Sequence, residues 1–536
     1  MTARRIPGST PGPLVRFTFD GAEIEGVEGE PLAVSLLAAG RPILSRSFRF
    51  HRARGLMCST GQCGWCECEV DGRPSVRSCR VPVREGLVAR GEHALPNVSR
   101  DLLSLVGLVS RWIPPTFYHH RFLRPRALRK RYLDVLRWFG GRGRLGVGPR
   151  PAAAGRATRR VDADVLVVGG GRAGLIAAIA AAEQRDRVVL VESEHELGGS
   201  WRAVTGDEAS SGSVSELIAR ATAAGVELLT GVTAAGWYDG MVAAIGDDAH
   251  LEIRTGSVVV ATGSYERVPL VPGADRPGVL AARTAIALVD RFGVIPGATA
   301  LLVGEGLELD RAADRLRHAG VRIETGPVPT LSLVSIRGRR HVTGAVTRHG
   351  SKLEHHAVDL VVFGDRSPNL DLVLAAGAAV QRHGDTLVPI LDASGRTTIP
   401  SLSVVGSAVG PAAGMGSERS HRHAAAPVTP GAPIDPGAMV CFCEDVRAGE
   451  VRAEQAAGYT DPELIKRRTG ALTGPCQGKY CLQSFACLVG TAADEEAVPL
   501  PTARPPLRPI RLGDLVAREE GVPAVAVAAT DPGDDS

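Results

Sequence analysis

The sequence predicts an α/β chain in three successive parts. These are a small cysteine-bearing β domain, a large domain with a helix-covered parallel sheet, and a small cysteine-bearing helical domain. Three observations predict this. Eight of the ten cysteines fall into two groups towards the ends of the 536-residue chain, too long for a single core. A glycine turn between a buried strand and a small-residue helix opens the middle, where strand and helix patterns then alternate. Between Cys79 and Cys441 there is no cysteine, which excludes dithiol chemistry inside the middle part.

The first part is placed at residues 1–100. VRFTFDGAEIEGVEG alternates apolar and polar residues around Asp20-Gly21, the pattern of a β-hairpin. EPLAVSLLAAG follows with helical spacing and a stop at Gly40. Then come Cys58, Cys63, Cys66 and Cys79, spaced C-x₄-C-x₂-C with a distant fourth thiol. That is the plant-type [2Fe–2S] pattern, since thiolates are the soft anionic ligands that cluster iron takes. Zinc is the alternative, although thiolate zinc sites usually come as two C-x₂-C pairs. Gly55, Gly61 and Gly64 are expected to let backbone amides point at the sulfurs. Cys68 reads as structural.

Residues 101–160 read as a connector. DLLSLVGLVSRWI is apolar at helical period, and HHRFLRPRALRKRYLDVLRWFGGRGRLG is strongly basic. A solvated, wrapping segment is the plainer reading and a docking surface the alternative. His119 and His120 read as structural.

The large part spans 161–430. ADVLVVGGGRAGLIAAIAAAE supplies G-x-G-x-x-G at Gly169, Gly171 and Gly174. The first glycine permits the turn, the second a close approach of pyrophosphate, and the third tight helix–strand packing. The next strand ends in Glu192, placed to accept from adenosine ribose hydroxyls. A second, incomplete turn has Gly304 and Gly306, with Leu309 at the third glycine position and Glu324 after the next strand. It suits NAD(P), or equally an inherited subdomain that binds no nucleotide.

The second cysteine part spans 431–495 and a Pro/Ala-rich tail 496–536. Cys441 and Cys443 in CFCEDV join Cys476 and Cys481 in GPCQGKYC. Two helical stretches separate the pairs, the second with Asp461 as N-cap and Pro462 at its first position. Cys481 opens a further helix whose N-terminal dipole favours an anionic cluster, and Cys487 on that helix reads as packing. Zinc is again the alternative. The terminal DPGDDS is expected to be disordered.

The net charge of +4 gives no reason to expect nucleic acid. No apolar stretch approaches the ~20 residues of a membrane span, so no transmembrane segment is expected. With no apolar run after the N-terminal Arg pair, a cytoplasmic location is expected.

ELGGSWR, with Gly198 and Gly199, and the ATG run Ala261-Thr262-Gly263 resemble the two-dinucleotide flavoproteins of glutathione-reductase topology. That resemblance implies FAD. In that family the last FAD motif ends in Gly-Asp, where this chain has Gly406-Ser407. The first cysteine region resembles a β-grasp ferredoxin, and the last the helical [2Fe–2S] domain of bacterioferritin-associated ferredoxin. The expected fold class is therefore an α/β two-dinucleotide-binding flavoprotein with an N-terminal β-grasp ferredoxin domain and a C-terminal small helical [2Fe–2S] domain.

This order resembles the α-type subunits of multi-subunit amine and imino-acid oxidoreductases: sarcosine oxidase, opine oxidase, dye-linked proline dehydrogenase and hydrogen cyanide synthase. SFRFHRARGL and PPTFYHHRFLRP look like the sarcosine oxidase type, EDV, IKRRT, GPCQGKYC and RPPLRPIRLGDL like the opine oxidase type. The long folate-binding half of sarcosine oxidase α subunits has no counterpart here. The resemblance implies FAD, two [2Fe–2S] clusters, and a β subunit of D-amino-acid-oxidase type that oxidises a small amine. No substrate base stands out in this chain, and oxygen, a quinone or a carrier protein all stand open as acceptor. The alternatives are a self-contained NAD(P)H-dependent reductase and a non-catalytic electron-relay or assembly subunit.

Overall fold

A computed structural model describes residues 3–9, 12–117, 125–140, 156–184, 186–205, 213–238, 240–410, 434–490, 498–508 and 510. His119 and His120, most of the Pro/Ala-rich stretch after residue 410 and the terminal DPGDDS lie outside them.

The N-terminal hairpin forms as the alternation predicts. Strands Leu14–Phe19 and Ala22–Val27 pair antiparallel, and Asp20 and Gly21 make the turn at φ 52° and 78°. Inward-facing Phe17, Phe19 and Ile24 are buried with helix Leu32–Ala38. Glu67–Val70, Arg73–Arg77 and Val88–Gly91 complete a five-stranded sheet, in which Val88–Gly91 runs parallel to the first strand. Hairpin, helix and a returning parallel strand are the β-grasp arrangement. Cys68 lies buried in strand Glu67–Val70 with its thiol towards the Leu44 carbonyl (3.3 Å), a packing role.

In the connector, Leu102–Trp112 winds as a 3₁₀-helix, and Arg126–Gly140 is an α-helix whose Arg126, Arg129, Lys130 and Arg131 are exposed.

The middle of the chain holds two parallel sheets. In the larger, Glu227–Thr230, Val188–Glu192, Ala157–Val168, Ala249–Val260 and Leu402–Val404 run parallel, and an antiparallel pair extends the edge. The central strands are apolar on both faces, as a sheet covered on both sides requires. Their C-terminal ends therefore meet at one edge. The smaller sheet stacks Val279–Ala281, Leu360–Phe363, Thr299–Val303 and Arg322–Ile323, all parallel.

The last region carries helices Ala448–Ala456, Pro462–Thr469 and Leu482–Val489. Asp461 caps the second by accepting from the Leu464 amide at 2.8 Å, with Pro462 next in line, and Gly470 ends it in the left-handed region. Beyond it, part of the tail is docked: the Leu507 amide donates to the Ala235 carbonyl at the edge of the large sheet.

One set of buried charges ties three regions together. Asp275 of the middle domain sits between Arg52 (2.5 Å) and Arg54 of the first. Arg54 also reaches Asp445 of the last at 2.8 Å, and Asp445 accepts from the backbone amides of Arg49 and Phe50. Burial alone would raise Asp275; Arg52 and Arg54 overcome it and hold the carboxyl far below the usual carboxylate range.

Candidate flavin cradle and cysteine sites

The first glycine turn lies where strands Ala157–Val168 and Ala249–Val260 end, the switch-point position where open α/β sheets bind ligands. Its three glycines do different work. Gly169 has φ 112°, and a Cβ there would lie 2.4 Å from the Ala261 carbonyl oxygen. A Cβ on Gly174 would fall 1.9 Å from the Gly169 carbonyl oxygen, so helix Arg172–Glu183 packs too closely for any side chain. Gly171, in contrast, faces open space: a Cβ would meet nothing within 4 Å. An open position at a helix N-terminus between two close-packed glycines is the shape that admits pyrophosphate.

The other predicted FAD segments gather round this opening. Gly198 bridges to Gly171, and its amide donates to the Gly170 carbonyl at 2.8 Å. Gly199 brings its Cβ position to 3.4 Å from the Gly171 Cα. Thr262 Oγ1 donates to the Asn369 carbonyl, and the Asn369 amide to the Gly263 carbonyl, so the ATG run is pinned to the following subdomain. Gly406 has φ 69° with its Cβ position 2.6 Å from the Ala173 side chain, at the same helix end. Ser407, in place of the family's carboxylate, lies 3.4 Å from Ser264 Oγ. Glu192 is at its expected strand end and accepts from the Gly170 and Glu194 amides at 2.7 and 2.9 Å. It thus braces the turn as well as facing the ribose position. Arg172, which sequence reasoning passed over, stacks on Trp201 and has a buried Nε with no hydrogen-bond partner. These residues fit FAD.

The second turn keeps the shape but differs in charge. Gly304 and Gly306 have φ 89° and 114°. Leu309 is fully buried against Gly364, filling the space that a third glycine leaves open. The Asp365 carboxylate lies against the Gly304 position (2.2 Å to a Cβ), and Glu305 is in the turn itself. Burial raises both carboxyls, and Asp365 adds to the rise at Glu305. Glu324 follows strand Arg322–Ile323 and lies 3.7 Å from Arg322.

The eight predicted cysteines come together as two groups of four. In the first, Cys58 is within hydrogen-bonding reach of Cys63, and Cys66 of Cys79. All four are buried. The Thr60 and Trp65 amides donate to the Cys58 and Cys63 sulfurs at 3.5 Å, as the glycine-rich loop predicts, with Gly61 and Gly64 both at φ 72°. Gly55 has another reason to be glycine, since a Cβ would meet the Pro42 carbonyl at 2.6 Å. In the second group Cys443 pairs with Cys476, and Cys481 with Cys441 and Cys476. Gly474 is required there because a Cβ would lie 2.3 Å from the Cys443 Cβ. Cys481 is the N-cap of helix Leu482–Val489, and Cys487 packs towards the Asp385 carbonyl.

Among the described residues no three His, Cys, Asp or Glu are grouped tightly enough to hold one metal ion. Thiols in facing pairs fit a two-iron cluster, which takes two ligands on each iron, better than tetrahedral zinc.

Sequence spacing left one fact hidden. The two groups share a wall. The Cys443 sulfur lies 3.8 Å from the Cys63 carbonyl oxygen, Arg77 donates to the Pro475 carbonyl at 3.1 Å, and the Trp65 and Phe442 rings are 4.9 Å apart.

Comparison with known proteins agrees with this architecture. Residues 12–94 match the family described as 2Fe-2S iron-sulfur cluster binding domain. Residues 163–292 match pyridine nucleotide-disulphide oxidoreductase, and residues 436–519 the sarcosine oxidase A3 domain. The sarcosine oxidase alpha subunit of Rhizobium meliloti is 28% identical over 94% of this chain, which spans 58% of that protein's length. An opine oxidase subunit of Agrobacterium tumefaciens is 25% identical over 69% of this chain and 95% of its own. The structure of L-proline dehydrogenase from P. horikoshii superposes with a TM-score of 0.69 at 22% identity, covering 95% of this chain and 98% of that one. No described helix is long and apolar enough to cross a membrane. FAD and [2Fe–2S] are the cofactors that these domains indicate. The chain is thus similar, over nearly its whole length, to the α-type FAD and iron–sulfur subunits of the sarcosine and opine oxidases.

Proposed function

We propose that this chain is the electron-handling subunit of an amine or imino-acid dehydrogenase or oxidase complex, in which a separate flavoprotein subunit of D-amino-acid-oxidase type oxidises the C–N bond. The observation that carries the reading is the close placement of two four-cysteine groups in a chain whose middle holds an open glycine cradle. When bound, FAD supplies acceptance of an electron pair with release one at a time, and clusters supply single-electron transfer. The chain's residues bind and position. Gly171 and the helix end at Arg172 receive pyrophosphate, and Glu192 faces the ribose. Cys58, Cys63, Cys66 and Cys79 hold one cluster and Cys441, Cys443, Cys476 and Cys481 the other. Copurification with the flavoprotein encoded beside it, followed by amine-dependent reduction of a dye, tests the proposal. A chain that purifies alone and supports no amine oxidation with that partner would remove it.

Cys63→Ser and Cys476→Ser are each expected to lower bound iron by roughly half, because each disables one of two two-iron sites, with flavin retained. Iron, sulfide and flavin analyses check this, and zinc in their place would reassign the sites.

The rival reading, a self-contained NAD(P)H reductase, needs pyrophosphate at the second turn. Glu305 and Asp365 put carboxylates there, which oppose an anion. Millimolar NADH is expected to leave the flavin oxidised in a stopped-flow measurement; rapid bleaching would favour the rival.

A further inference from the structure

The wall between the two cysteine groups contains a residue that neither motif requires. Tyr480 precedes Cys481 in GPCQGKYC, and its side chain is almost completely buried. It faces three ways. Its hydroxyl lies within hydrogen-bonding reach of Cys58 in the other cysteine group. It also donates to Glu266 Oε2 at 3.4 Å, and Glu266 is held by Arg283. Its ring lies 5.9 Å from that of Tyr265, two residues beyond the ATG run. Cys58, Cys63, Cys476 and Tyr480 belong to one buried cluster with Met57, Trp65 and Phe442.

We propose that Tyr480 is a positioning residue shared by both cysteine sites: carried next to Cys481 of the second, it holds the Cys58 sulfur of the first through its hydroxyl and fixes the spacing between the two. This rests on the reading of the cysteines as cluster ligands. A hydrogen bond to a ligand sulfur favours the more negative, reduced form of a cluster, so it raises the reduction potential. The contact crosses from one domain to the other. The hydroxyl therefore acts on the first site, although the residue belongs to the second. The shared wall has a consequence of its own: with both sites loaded and reduced, their unpaired spins lie close enough to interact.

The test uses the full chain purified anaerobically. EPR of the dithionite-reduced wild type should show spin–spin interaction between two cluster signals, seen as splitting or faster relaxation of each. Tyr480→Phe removes only the hydroxyl. Its expected result is a lower midpoint potential for the first cluster in an EPR-monitored titration, with the second midpoint and the iron content unchanged. Cys476→Ser, which empties the second site, should abolish the spin interaction and leave the first signal. An unshifted first midpoint in Tyr480→Phe at full iron content would overturn the proposal, as would two magnetically independent signals in the wild type. If Tyr480→Phe loses iron, the wild-type spin interaction still decides whether the wall is shared. A wild type with no cluster signal and no sulfide would instead overturn the ligand reading, and this proposal with it.

Discussion

Gly171→Val is expected to give a folded chain that purifies without flavin. The two halves of that result come from different observations. The backbone at Gly171 has φ −72° and ψ 176°, which any residue adopts, and a Cβ there meets nothing within 4 Å. The protein therefore has no reason to resist the side chain. The empty space, however, is the mouth of the cradle, bounded by the helix N-terminus and by Gly198 and Gly199. A valine occupies it and meets the pyrophosphate. Overpacking typically costs about 1–3 kcal/mol, which is roughly tenfold to a hundredfold in affinity. Flavin absorbance against protein concentration checks the loss, and circular dichroism checks the fold. Gly174→Ala is the contrasting variant: its Cβ would fall 1.9 Å from the Gly169 carbonyl oxygen, a backbone atom that cannot swing away. That change should reduce soluble yield itself. Full flavin occupancy in Gly171→Val would place the dinucleotide elsewhere.

Asp275→Asn is expected to destabilise the junction of the three domains by about 3–5 kcal/mol, the usual cost of breaking a buried ion pair on one side. Arg54 is 3% exposed and Asp275 1%, so no solvent replaces the lost charge. Arg54 retains Asp445, whereas Arg52 loses its carboxylate partner. The double variant with Asp445→Asn leaves Arg54 without any carboxylate, and its loss should exceed that of either single change. The pH dependence follows from the sign of the shift. The folded pKa of Asp275 is depressed, so the carboxylate contributes stability that is fully present above its unfolded value of about 4. That contribution falls away as the pH drops below about 4 towards the folded pKa. Asp275→Asn should lack this acid-sensitive component, and urea midpoints at pH 7 and pH 3 for both proteins measure it. Equal midpoints for variant and wild type at pH 7 would refute the junction's role.

Several features were legible because they are local. The hairpin at Asp20-Gly21, the Asp461 cap and the division of labour among Gly169, Gly171 and Gly174 follow from a few neighbouring residues. Each depends on backbone sterics or on hydrogen bonds that reach one turn. The cysteine groups were legible for the same reason, since most of their ligands lie within a few residues of one another. Reading Leu102–Trp112 by its apolar period missed the tighter 3₁₀ winding, which period alone does not separate from an α-helix.

From the linear chain alone came the domain order, the eight candidate thiols, the first dinucleotide turn and the absence of a cysteine pair beside it. The folded chain alone decided that the two cysteine groups, more than 300 residues apart, share a wall at Cys63, Cys443 and Tyr480. It alone joined Arg52 and Arg54 to Asp275 and Asp445. The physical reason is range. A ligand motif needs thiols within reach of one another along the backbone. Which two surfaces meet depends on burying apolar area and pairing desolvated charge across the whole molecule, and no spacing records that.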